Sequence, residues 1–230
     1  MLNFSLTSAH IAGLLAMLGA LVYAFGDVLL LAGRADLARH PKLQPHAALL
    51  SGTERMAELG WPRLMWGGLL GVFATPLILA SLWLLYSGLA PAGPWTVWPP
   101  VLLFGLGFVL APFVHGSFIY LGEYVQALDR LAPEAQTVLV GMVQRHKQVM
   151  TISYGVLAVA ILAASLWFSA AVALGGTRFP VWMAAVNPLT ALLAWFGLRR
   201  LVPALARHLE GAGFNIAFLA FFAAATATLG

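Results

Sequence analysis

Residues 64–122 read LMWGGLLGVFATPLILASLWLLYSGLAPAGPWTVWPPVLLFGLGFVLAPFVHGSFIYLG, 59 residues without one Asp, Glu, Lys or Arg. A bilayer core takes about 20 residues of apolar helix. The stretch is too long for one crossing and long enough for two. Its centre, SGLAPAGPWTVWPP at 87–100, is dense in prolines and glycines, which break helices. Two spans joined by a short, stiff connection through Pro91, Pro94, Pro99 and Pro100 are therefore expected.

The rest of the chain repeats the pattern. No acidic or basic residue occurs in 1–26, 148–177, 179–198 or 211–230. That predicts six helices, at about 9–33, 64–87, 100–126, 149–174, 180–200 and 205–229, in a single all-α polytopic domain. Composition agrees. Of 230 residues, 61% are hydrophobic and 9% charged, against about 25% charged in soluble domains. Mean hydropathy is +0.90. These values exclude a soluble enzyme, a disordered chain and a nucleic-acid-binding domain. With zero Cys, disulfides, thiolate metal sites and cysteine nucleophiles are excluded too. Met1–His10 carries no Lys or Arg, unlike the basic start of a secretory signal, so the first apolar segment is expected to stay as a span. No internal repeat or second domain is visible.

Six spans sort the charges. Arg34, Arg39, Lys42, Arg55, Arg63, Arg130, Arg145, Lys147, Arg199, Arg200 and Arg207 fall on one side and only Arg178 on the other. The positive-inside rule makes the first side cytoplasmic, with both termini outside, most simply in a bacterial inner membrane. Trp95, Trp98 and Trp182 mark the opposite interface as an aromatic belt. Residues 51–60, with Ser51 or Thr53 as cap, and 133–147, opening on Pro133, read as short amphipathic helices on the cytoplasmic surface. The second can instead extend the fourth span. Gly67 and Gly71 form a GxxxG, a mark of close helix contact within the bundle or between copies of the chain.

Ionisable and polar groups within the spans are the functional pointers, because a charge at mid-bilayer costs roughly 2.5–3.5 kcal/mol on insertion scales. Asp27, Glu123 and Glu210 lie on three spans in the cytoplasmic half. His115 and Glu123, eight apart, are expected on one face of span 3, and Tyr23 and Asp27, four apart, on one face of span 1. His208 reads as a loop histidine. Pro112 lies near His115, Pro188 follows Asn187 and Pro76 follows Thr75. Each proline removes a backbone donor, a defect tolerated where it is buried or lines a wet cavity.

No metal-ligand spacing, phosphate loop or nucleophile elbow appears, so no metal or cofactor is expected. Acid–base chemistry needs less: one shifted carboxyl or imidazole and a partner. The expected reading is a membrane-embedded isomerase, cyclase or hydrolase for a lipid or other lipophilic small molecule. Asp27, His115 and Glu123 would act. Tyr23, Tyr120, Tyr154, Asn187, Glu210 and Asn215 would bind or orient the substrate. Two alternatives stand beside it. An ion- or proton-coupled transporter would use the same buried acids, although the polar set is biased to one side. An accessory subunit would dock through the surface helices and glycine faces and would have no roomy cavity. Membrane lipids are expected partners, nucleic acid is not, and a homo-oligomer is possible through the glycine faces.

The segments GDVLLLAG, HGSFIYLGE, NP and HLEGAGFN resemble six-span bacterial membrane families without an assigned activity, and the resemblance implies no reaction.

Overall fold

Thr7 starts the first helix. Its hydroxyl accepts from the His10 amide, and the His10 ring lies against the Thr7 amide, a capping box that opens α1, Ser8–Leu31. The computed structural model describes residues 7–33, 35–203, 208–209 and 211–229. Two helices follow a long connection: α2, Trp61–Leu79, and α3, Ser81–Leu89, which continue one another as an apolar rod ending at Ala92. Gly93, at φ 97, turns the chain into α4, Pro94–Arg130. Then come α5, Pro133–Leu174, ended by Gly175, and α6, Pro188–Leu201, and α7, Gly213–Thr228. Among the described residues there is no strand.

Four segments are long and apolar enough to cross a membrane: Ser8–Leu31, Trp61–Ala92, Pro94–Arg130 and Pro133–Leu174. α6 and α7 have 14 and 16 residues, about 21 and 24 Å at 1.5 Å per residue. The expected start of the fifth span at 180 is corrected to 188. Residues before a proline avoid the α region, and Asn187 sits extended at φ −146, ψ 169 as the cap of α6. Residues 181–185 form a separate 3-10 turn. Part of the expected sixth span, 205–207 and 210, lies outside the described residues, as do 204 and Arg34.

The segment 133–147 is not a separate surface helix; it is continuous with the fourth span in one 42-residue helix. Residues 51–60 hold only a 3-10 turn, Glu54–Glu58, with Met56 buried. Thr53 does not cap it; its hydroxyl donates to the Leu50 carbonyl at 2.6 Å.

The helices close a ring in which α1 touches α2 and α7, α2 touches α4, α4 touches α5, α5 touches α6 and α6 touches α7. Phe104, Phe168, Phe221 and Phe222 fill its centre, fully buried. α4 and α5 run past this core as a hairpin of about 55 and 63 Å. Beyond it they enclose a second apolar cluster with the first connection, built on Leu43, Leu50, Leu121, Val125, Leu128 and Val143. Basic side chains tie this end together. Arg55 and Arg63 donate to the carbonyls of Leu31 and Leu29 at the end of α1. Lys42 reaches the carbonyls of Arg130 and Leu131, and Lys147 that of Leu49. Cations satisfy helix-end carbonyls here, where the dipole is negative.

Gly67 and Gly71 make close contacts inside the bundle. A Cβ on Gly67 would stand 2.7 Å from Leu30, and one on Gly71 2.2 Å from the His115 ring.

Candidate functional site

α1 directs Tyr23 and Asp27 inward, both buried. Four residues is about 40° of helical rotation, so the two side chains share a face. α2 presents Thr75 to Tyr23, and the two hydroxyls lie 2.6 Å apart. Thr75 also lies 3.1 Å from the Gly71 carbonyl. α4 brings His115 against α1: Nε2 is 3.2 Å from Asp27 Oδ1, and the ring meets Tyr23 edge-on at 4.8 Å. α7 contributes Asn215, in its first turn, whose Nδ2 donates to Asp27 Oδ2 at 2.6 Å. Side chains of α4 and α7 thus meet the Asp27 carboxyl of α1, and α2 backs the cluster through Thr75 and Gly71. The amino end of α7, the partially positive end of its dipole, stands beside the acid.

Asp27 and His115 are 6% and 7% exposed, so these contacts are made away from bulk water. Among the described residues, His115 Nδ1 is buried without a hydrogen-bond partner, on the side where the ring meets Gly71. An unpaired lone pair there costs less than an unpaired N–H. The proton is therefore assigned to Nε2, facing Asp27.

The polar group forms one wall of a cavity of about 240 Å³. Tyr23, Asp27, His115, Tyr154 and Asn215 supply its polar atoms, and Phe108, Phe118, Phe214 and Phe218 much of the remainder. Among the described residues, no Lys or Arg lines it. Pro112, one turn past Phe108, has no N–H to return to that residue's carbonyl. Tyr154 on α5 and Phe214 on α7 meet edge-to-face at 6.0 Å, and Tyr154 is 43% exposed, so the cavity reaches the surface beside this pair.

Of the residues singled out from the sequence, Tyr23, Asp27, His115, Tyr154 and Asn215 come together. Glu123 does not: it is exposed, one helical segment away from the cavity. Eight residues along a helix add about 80° of rotation, enough to carry Glu123 off the face that holds His115. Tyr120 is 61% exposed, turned outward by the same geometry. Asn187 is buried but at the opposite end. Its Oδ1 accepts from the amides of Leu189 and Thr190, and its Nδ2 donates to Ser169, so it caps α6 rather than facing the cavity. His208 is exposed. Glu210 lies outside the described residues. Thr75 and Gly71 are the participants that sequence reading missed. Thr75 had a signal in its neighbour Pro76, and Gly71 had one in the GxxxG, whose occupant was not legible. Among the described residues, no group of three or more His, Asp or Glu is placed to hold a metal ion.

A protein-family model described as Family of unknown function (DUF6796) matches residues 5–229. The chain belongs to that family. No curated protein and no solved structure matches the chain. Membership of DUF6796 covers every helix described above, including all residues of the Asp27 cluster.

Proposed function

We propose that this DUF6796 member is a six-span protein of a bacterial inner membrane, with its basic end cytoplasmic, both termini outside, and an acid–base site at Asp27 and His115. The reading is of an isomerase, cyclase or hydrolase acting on a lipophilic small molecule or lipid. One observation carries it: a carboxyl and an imidazole, both more than nine-tenths buried, meet 3.2 Å apart on the wall of an apolar cavity. Burying such groups is costly unless they serve a purpose or are fully compensated. His115 Nε2–H and the Asp27 carboxyl can exchange a proton with a substrate atom held against them. Asn215 orients Asp27, and Tyr23, held by Thr75, braces the His115 ring. Glu123 has no part in this site.

Two features weigh against the alternatives. A conduction path needs polar groups in the outer half; of Asn187, Thr190, His10 and Ser81, the first three are engaged at helix starts, which leaves Ser81, buried without a hydrogen-bond partner among the described residues, as a single site. An accessory subunit has no use for a cavity of about 240 Å³ bordered by an acid.

The test is comparative lipid analysis of membranes from cells expressing wild type, Asp27→Asn, His115→Gln and Glu123→Gln. The first two are expected to abolish a product change that wild type and Glu123→Gln both produce. Identical lipid profiles for wild type and Asp27→Asn would remove the acid–base reading.

A further inference from the structure

The charge and ring content of the cavity specify a ligand more narrowly than lipophilicity does. This step rests on the reading above that the Asp27 cavity binds a ligand. Among the described residues, Asp27 is the one acid on its wall, and no Lys or Arg stands beside it there. Its two oxygens each meet one neighbour, Asn215 and His115, while a carboxylate accepts about four hydrogen bonds. A neutral hydrocarbon occupant would leave the spare acceptor positions of the Asp27 carboxyl unanswered, at a cost. An anionic occupant would meet an acid whose one basic neighbour among the described lining residues, His115, is already turned to it. A cation answers both.

The rest of the wall suits one. Tyr23, Phe108, Phe118, Tyr154, Phe214 and Phe218 surround the space in front of Asp27, and aromatic faces attract ammonium centres most strongly where water is excluded. The apolar residues between them, such as Ile78 and Leu157, favour a hydrocarbon body on the same molecule. Tyr154, 43% exposed, and Phe214 set an aromatic pair at the edge of this wall, which suits a ligand dissolved in lipid. We propose that the cavity recognises an organic ammonium ion with a hydrocarbon body, its positive centre held between Asp27 and the aromatic wall.

The experiment uses the full chain in a non-ionic maltoside micelle and two probes of equal shape. Benzyltrimethylammonium carries the charge; neopentylbenzene replaces its nitrogen with carbon. Calorimetric titration, with protein-free micelles as blank, gives both affinities. The cation is expected to bind at least about tenfold more tightly than the neutral isostere. Asp27→Asn is expected to remove most of that preference, and Phe214→Leu to weaken the cation more than the isostere. Equal binding of the two probes by wild type, preference for the isostere, or binding of neither overturns the proposal, and this comparison does not depend on any variant folding. A charge-blind cavity whose Asp27 and His115 variants still change the lipid profile would sink the cation and keep the acid–base site.

Discussion

Gly71 decides where the histidine can sit. A methyl group there would stand 2.2 Å from the His115 ring, closer than any packing tolerates, and the ring has Asp27 and Tyr23 on its other sides. Gly71→Ala is therefore expected to cost about 1–3 kcal/mol through overpacking, read as a lower midpoint of thermal unfolding by tryptophan fluorescence. Adding His115→Ala should recover part of that loss, because the two residues compete for one space; strict additivity would deny the contact. This glycine was visible as half of a GxxxG, but nothing in the motif says which side chain fills the gap. The acid–imidazole pair was half legible. Asp27 and His115 stand out because charge and imidazole are rare in apolar helices, yet their 88-residue separation says nothing about their meeting.

Short-range spacing on one helix survives folding and longer spacing does not. Tyr23 and Asp27, one turn apart, face the same cavity, whereas Glu123 drifts off the face of His115. Prolines behave by position: Pro188 starts a helix, while Pro76 and Pro112 sit inside α2 and α4. The first connection supplies an element-scale prediction of its own. His40 bridges to Asp129 at the end of α4, at 2.8 Å, and to Glu58, at 3.5 Å. The hydrogen bond to Asp129 is the main cause that raises the His40 pKa above its ordinary 6.5, with Glu58 adding to it and burial opposing. The folded form thus holds this proton more tightly than the unfolded form. The stabilisation is complete below about 6.5 and is lost as pH rises through the raised folded value. Thermal midpoints should fall from about pH 6 to about pH 9 in wild type and fall less in His40→Gln. Equal slopes would show that this strap does not titrate.

At the scale of the molecule, the two ends differ in chemistry. Lys42, Arg55, Arg63 and Lys147 secure one end. Trp95, Trp98 and Trp182 are exposed at the other, Trp95 at 86%. Because the chain has zero Cys, single cysteines report orientation without background. Trp95→Cys and Val181→Cys should react with a membrane-impermeant maleimide in intact cells. Thr137→Cys and Val202→Cys should react only after permeabilisation. Matching behaviour of the Val181 and Val202 positions would mean that α6, at 14 residues, does not cross.

Helical class and the long apolar segments were legible along the chain, because they depend on local composition and on the cost of moving charge into hydrocarbon. Helix ends were less legible: the fifth span was expected from 180, and Asn187–Pro188 starts the helix at 188. The meeting of α1, α2, α4 and α7 in the Asp27 cluster belongs to the folded molecule alone. It depends on the rotation of each helix about its axis and on the close approaches that Gly67 and Gly71 permit, and a linear pattern of residue types does not encode which face meets which.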